Sequence, residues 1–375
     1  MDGKLAIIGL GSIGSMALWQ ASHLTDSVVG FEAYSPAHAR SAVGGDTRLF
    51  RMIYRGNPAY YPLLERSRGL WAELEAETGQ DILTRCGGLS IGSTGGHYIS
   101  HLLETTRSTG AEHQILSREE MAGRYPQHNL RADDIAVYDP NAGALRTDRA
   151  VAAAITAAET NGASVKTNTP IDSITETDDG VVITSGANSW TFERVIVASG
   201  GWSQRLMPAH LKDATQTRRV FLTWFLAKEP AEFAPERFPI FIRIYSDRSM
   251  YGAPAVDGAT VKATLDGRGA PTPAADSVPR DLTDAEISET TETVSEFFPG
   301  LIPNIVRSDA YPDLFTADGQ PLMGFLDESS RIYYATGFSG AGFKMATGYG
   351  EIAANEALGK RSFEGLDFLR PQRFI

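Results

Sequence analysis

KLAIIGLGSIG, residues 4–14, decides how this chain folds. A short β-branched apolar run that ends in glycine is how a strand covered on both faces reads. Residues 4–9 are therefore expected as a strand, 13–24 as a helix and 27–32 (SVVGFE) as a second strand, a βαβ unit. Gly9, Gly11 and Gly14 fall in a G-x-G-x-x-G pattern between strand and helix. The first makes the tight turn, the second lets main chain approach a pyrophosphate, and the third lets helix and strand pack closely. The helix N-terminus, with Ser12 and Ile13, would face the phosphates. Glu32 ends the second strand, where an acid accepts hydrogen bonds from ribose hydroxyls and repels the 2′-phosphate of NADP.

Working outward, 375 residues are long for one compact core and imply two domains, or one domain with a large insertion. A formal net charge of -12 argues against nucleic acid or an anionic membrane as partner. The single cysteine, Cys86, excludes a disulfide within the chain and a cysteine-based metal site, and no metal is expected. No apolar run nears the roughly 20 residues a membrane span needs, and glycines interrupt the first apolar segment, unlike a signal peptide. A cytoplasmic protein, monomer or weak homodimer, is expected.

Residues 61–77 and 147–162 carry helical spacing. Residues 80–93 read as strands about a Cys86-Gly87-Gly88 turn, and 165–186 as hairpin strands. Residues 194–199 (RVIVAS) form another buried strand before Gly200, Gly201 and Trp202, and 331–336 (RIYYAT) a last one before Gly337, Gly340 and Gly342. A helix-like run starts at Phe343. Residues 219–227 and 238–264 alternate like an antiparallel sheet, and 265–285 read as an exposed loop. The fold class is α/β: a Rossmann-like nucleotide domain from residues 1–80, 145–215 and 305–375, with a sheet domain from 81–144 and 216–304 inserted. Distant segments returning to one nucleotide suit the longer FAD rather than NAD. The helix after Gly342 would also favour the anionic ring of a reduced flavin.

GGDTRLFRMIYRG, residues 44–56, gathers Arg48, Arg51 and Arg55 in an acidic protein. Together with the fingerprint, VIVASGGWS, YGAP at 251–254 and GFSGAGFK, it resembles the monomeric sarcosine oxidase family, with its N-methyltryptophan and fructosyl-amino-acid (Amadori) oxidases. The resemblance runs over nearly the whole chain. It implies an FAD domain of the p-hydroxybenzoate-hydroxylase or D-amino-acid-oxidase type, with the isoalloxazine between it and an antiparallel substrate sheet. It places Arg51 and Lys344 on the substrate carboxylate, Arg48 against the flavin ring, Tyr251 in the active site and Lys262 at the site of oxygen activation. Taken alone, each of these cations would read as a solvated charge, Lys262 as an outward strand lysine. Arg55 has no counterpart and reads as a surface charge.

Four residues depart from the family's pattern. Tyr311 stands where a cysteine often tethers FAD, so the expected cofactor is non-covalent FAD, with Cys86 a small buried residue. Asp266 replaces a histidine of the sarcosine oxidases, Ala341 replaces the histidine of G-F-S-G-H-G-F-K, and Asp313 falls near a tyrosine. A roomier pocket richer in acceptors favours a fructosyl amino acid over an N-methyl one, although Asp266 before Gly267 also reads as a turn residue. The expected reaction oxidises the secondary amine of an amino acid derivative to an imine, which water hydrolyses, with dioxygen reduced to hydrogen peroxide. The alternatives are a sarcosine or N-methyl amino acid oxidase and a flavin dehydrogenase that does not use oxygen. A non-catalytic flavin- or nucleotide-binding protein and an NAD dehydrogenase are the competing classes.

Overall fold

The structure is a computed structural model that describes residues 1–54, 57–266, 269–361 and 363–375. Arg55 and Gly267 lie outside the described residues. Among the described residues the first sheet has eight strands. Its parallel core runs in the order Ser164–Lys166, Val28–Phe31, Gly3–Ile8, Asn188–Val197 and Ile332–Thr336. Leu5 and Ile7 point to one face, packed on the helices Ser12–Ser22, Tyr61–Thr78, Thr147–Thr160 and Ala346–Ala357. Ala6 and Ile8 point to the other, packed on Val181, Ile183 and Phe192. Burial on both faces is why residues 5–8 are uninterruptedly apolar, and each large side chain so buried stabilises by about 1.5–3 kcal/mol.

The second sheet has nine strands among the described residues. They are drawn from residues 88–139, 215–271 and 301–316. Its two parts meet at a parallel pair, Ile240–Ile244 against Gly88–Ser93, where alternation had suggested antiparallel pairing throughout. A strand's alternation reports its covered face and says nothing of its neighbour's direction. Beneath it, Phe233, Phe238, Phe241, Phe297 and Phe298 form an aromatic core. A third, small sheet pairs Thr47–Phe50 with Gly143–Arg146.

Several elements go beyond the sequence reading. The helix Asp284–Phe297 carries a capping box between Thr283 and Glu286, a T-x-x-E signal readable in the chain. The strand Leu301–Thr316 pairs along nearly its whole length with Thr215–Ala227, so a domain division at 305 would fall inside it. Pro303 and Pro312 disguise it. The stretch 265–285, read as an exposed loop, buries Thr272, Ala275 and Val278. No helix among the described residues is long and apolar enough to cross a membrane.

Candidate active site

Segments far apart in the chain wall one cavity of about 930 Å³, among them 48–51, 213–222, 251–266 and 313–344. Arg48 sits on the strand of the third sheet. Its guanidinium donates to the carbonyls of Ala42 (2.6 Å), Thr47 (2.7 Å) and Gly44 (2.8 Å), so main chain holds the cation in place. Arg51 follows that strand. Asp139 anchors the turn behind it by accepting the N–H groups of Met52 (2.7 Å) and Ile53 (3.0 Å). The Nε of Arg51 is buried without a hydrogen-bond partner, an orphaned donor that a ligand acceptor would satisfy.

Lys344 lies on the same wall, after the glycine turn. Its Nζ donates to Ala341 O at 2.7 Å and lies 4.4 Å from the centre of the Tyr54 ring, which Arg51 also approaches at 5.9 Å. Burial, then the charge of Arg51, push Lys344 down to about 7. Two cations crowded in a dry wall can serve as an anion site, for which an Arg can offer a fork to a carboxylate.

Tyr251, Asp266 and Asp313 line the same cavity. Burial pushes the Tyr251 hydroxyl up to about 12, with Arg48 opposing and the two carboxylates adding. It is therefore a neutral donor at ordinary pH. Asp313 accepts the N–H groups of Leu314 (2.8 Å) and Gly340 (2.9 Å). Burial raises it to about 6 against those bonds and Arg48. Asp266 is exposed at the cavity, with Ser249 Oγ at 3.4 Å. Ala341 is also on the wall.

Lys262 is placed differently. It is 2% exposed, lies off the cavity lining, and donates to the carbonyls of Gly45 (2.9 Å) and Thr47 (2.6 Å). It stands one layer behind the segment that carries Arg48. Burial first, then Arg48, push it well below its ordinary value. Tyr311 is likewise behind the wall, its ring so close to Gly44 that a Cβ there would sit 2.1 Å from it. Cys86 is half-buried against Ala142, Ala144, Ile240 and Ala253. Burial pushes its thiol up to about 11.

A smaller cavity of about 160 Å³ adjoins the first and shares Ser12, Ala42, Ala198 and Gly200 with it. Gly9, Gly11, Glu32, Tyr34, His38 and Trp202 line it. A Cβ on Gly14 would lie 1.8 Å from Gly9 O, so only glycine permits this crossing of helix and strand. The helix begins at Gly11 with no side-chain cap, leaving its first N–H groups for a ligand. Glu32 accepts from Leu10 N (2.9 Å) and Tyr34 N (3.1 Å) and pairs with His38 (3.4 Å). Burial raises its carboxyl, but His38 and the two N–H groups outweigh that and hold it below its ordinary value. A glycine cradle, an open helix N-terminus and an ionised acid together fit a dinucleotide such as FAD. Gly337, Gly340, Gly342 and Phe343 carry the wall onward in the larger cavity, and Phe343 stacks on Trp71 at 5.9 Å.

Sequence reasoning missed Asp139, Tyr54, Trp71, Arg218 and Gln320. Trp71 donates to Lys344 O at 3.1 Å, and Arg218 and Gln320 line the large cavity. Only Tyr54, three residues after Arg51, carried a local signal; the others reach the site through tertiary contacts.

The sequence model of a family described as FAD dependent oxidoreductase matches residues 4–356. The chain is 29% identical over 375 residues to monomeric sarcosine oxidase of Streptomyces avermitilis, covering 98% of this chain and 96% of that one. It is 28% identical over 363 residues to N-methyl-L-tryptophan oxidase of Yersinia pestis, covering 96% of each. The fold is similar to that of fructosyl amine:oxygen oxidoreductase (Amadoriase I) from Aspergillus fumigatus. The TM-score there is 0.80 at 16% identity, over 98% of this chain and 89% of that one.

Proposed function

The chain belongs to the FAD dependent oxidoreductase family, and from that premise we propose that it oxidises the secondary amine of an N-substituted amino acid, a fructosyl amino acid above all. The observation that carries this reading is the shared cavity. Arg51 and Lys344 supply an anion site, and Asp266 and Asp313 add acceptors to the same lining. The substrate carboxylate would dock on the two cations. Hydroxyls of a sugar-derived N-substituent would donate to the two acids, and the neutral Tyr251 hydroxyl would donate to the substrate.

FAD, when bound, supplies the two-electron acceptor for the C–H bond beside nitrogen and the route to dioxygen. Gly9, Gly11, Ser12, Ile13 and Gly14 would hold its pyrophosphate, and Glu32 its ribose. Gly200, Trp202, Gly337, Gly340, Gly342 and Phe343 would complete the enclosure. Arg48, locked on three carbonyls, would place a fixed positive charge at the ring. Lys262 is proposed for the oxygen half-reaction on the strength of the resemblance. Burial and Arg48 lower its proton affinity, and negative charge arriving nearby would raise it again. The FAD is proposed to be non-covalent, because Tyr311 stands at the tether position and Cys86 packs in its own cluster. Acid precipitation should leave all flavin in the supernatant. Its place is proposed to be the cytoplasm.

A second reading, an oxidase of sarcosine or another N-methyl amino acid, is favoured by the names of the two relatives. Anaerobic mixing decides. Bleaching of the oxidised flavin by a fructosyl amino acid and not by sarcosine supports the first reading; the reverse supports the second. Rapid bleaching followed by slow recovery in air would make the protein a dehydrogenase.

A further inference from the structure

Residues 270–281 run from one cavity to the other. Gly269 and Ala270 line the larger one. Ala270 and Pro271 then pair with Arg219 and Arg218, and Thr272 N donates to Thr217 O at 2.9 Å. Arg219 ties down the far end by donating to the carbonyls of Pro279 and Asp281, both at 2.8 Å, and pairing with Glu286 at 2.5 Å.

Between these anchors the strap touches both lips of the smaller cavity. On one lip, Asp276 Oδ1 accepts the indole N–H of Trp202 at 2.7 Å, and its other oxygen pairs with Arg205. Trp202 and Arg205 both line that cavity, with Gly9, Gly11 and Glu32. On the other lip, Arg280 donates to Ala39 O at 2.6 Å and is held by Asp309 at 2.8 Å. Tyr34 and His38, beside Ala39, meet the Trp202 ring edge-on at 6.5 and 6.4 Å.

We propose that Asp276 and Arg280 form a latch that retains the adenosine half of bound FAD, Asp276 by orienting Trp202 and Arg205 at the pocket and Arg280 by tying the strap to the 34–40 lip. Asp276 and Arg280 are positioning residues; Trp202 and Arg205 are the groups at the ligand. The Trp202 hydrogen bond, then burial's opposing push and Arg205, leave Asp276 below its ordinary value, so it accepts as a carboxylate. A protein whose cofactor has no covalent tether gains from such a clasp, since each lost contact raises the dissociation rate directly. The inference rests on the proposed non-covalent binding of FAD, which acid precipitation tests separately, and is independent of which amine is oxidised.

The test is flavin release from the holoenzyme after dilution, followed by the rise in flavin fluorescence, with melting of the apoprotein as the control for fold. Asp276→Ala is expected to release FAD about tenfold faster. Asp276→Asn, which keeps an acceptor for the indole, should lose less. Combining Asp276→Ala with Trp202→Phe should cost less than the sum of the two single effects, since both break the Trp202–Asp276 bond. Arg280→Met should also speed release. Release at the wild-type rate from Asp276→Ala and Arg280→Met overturns the proposal. So does an apoprotein melting point that falls as far as the holoenzyme's, because the loss would then belong to the fold.

Discussion

The Lys344 ammonium lies 4.4 Å from the centre of the Tyr54 ring, on the wall where Arg51 leaves its Nε unpartnered. Burial and Arg51 bring Lys344 to about 7. A bound carboxylate would pull its proton affinity back up, so the free enzyme and the complex should differ in pH behaviour.

Lys344 is charged below about 7 and neutral above it. Substrate capture should weaken as pH rises through that value. The profile of kcat/KM, which reports the free enzyme, should therefore show a falling basic limb near 7, displaced upward in kcat. Lys344→Arg keeps the charge at every pH and should remove the limb. A limb unchanged in that variant assigns it to another group.

Arg51→Lys keeps the charge but loses the fork. Hydrogen bonds to charged groups contribute about 1.5–3 kcal/mol, so kcat/KM for a carboxylate substrate should fall tenfold or more. Oxidation of the matching decarboxylated amine should change little. Steady-state kinetics on the two substrates checks this.

Asp266→Asn and Asp313→Asn test the substituent. Each should raise KM for a fructosyl amino acid by about tenfold, one hydrogen bond to a carboxylate, and leave an N-methyl amino acid within about twofold. Equal losses on both substrates would mean that the acids only shape the wall, as Asp313 does in capping Gly340.

His128 is buried among Phe238, Phe241 and Phe298, at 5.2, 5.6 and 5.1 Å, with neither ring nitrogen hydrogen-bonded. Burial, then Arg243, hold it well below 6.5. The folded protein thus refuses a proton that the unfolded chain takes up below about 6.5. Stability from this site is complete above that value and falls with acid, by about 1.4 kcal/mol per pH unit. His128→Leu should narrow the gap between melting points at pH 8 and pH 5.5. A gap equal to the wild type's refutes the assignment.

Local chemistry made half of this protein legible. The run 5–8 is apolar because both faces of its strand are covered, and Gly9 and Gly14 are required by a crossing only a few residues long. Glu32, Arg51 and Lys344 were nameable because their motifs are short and contiguous. Tertiary structure decided the rest. It alone paired Gly88–Ser93 with Ile240–Ile244 in parallel and drew Pro303 and Pro312 into one long strand. Lys262 alternates outward from its own strand as a wall residue would, yet the carbonyls of Gly45 and Thr47 close over it. Asp276 looked like part of an exposed loop until Trp202, distant in sequence, donated to it. Backbone propensity and glycine sterics act over a few residues and are written in the chain. Which charge meets which carbonyl across a sheet is settled only when the sheets pack.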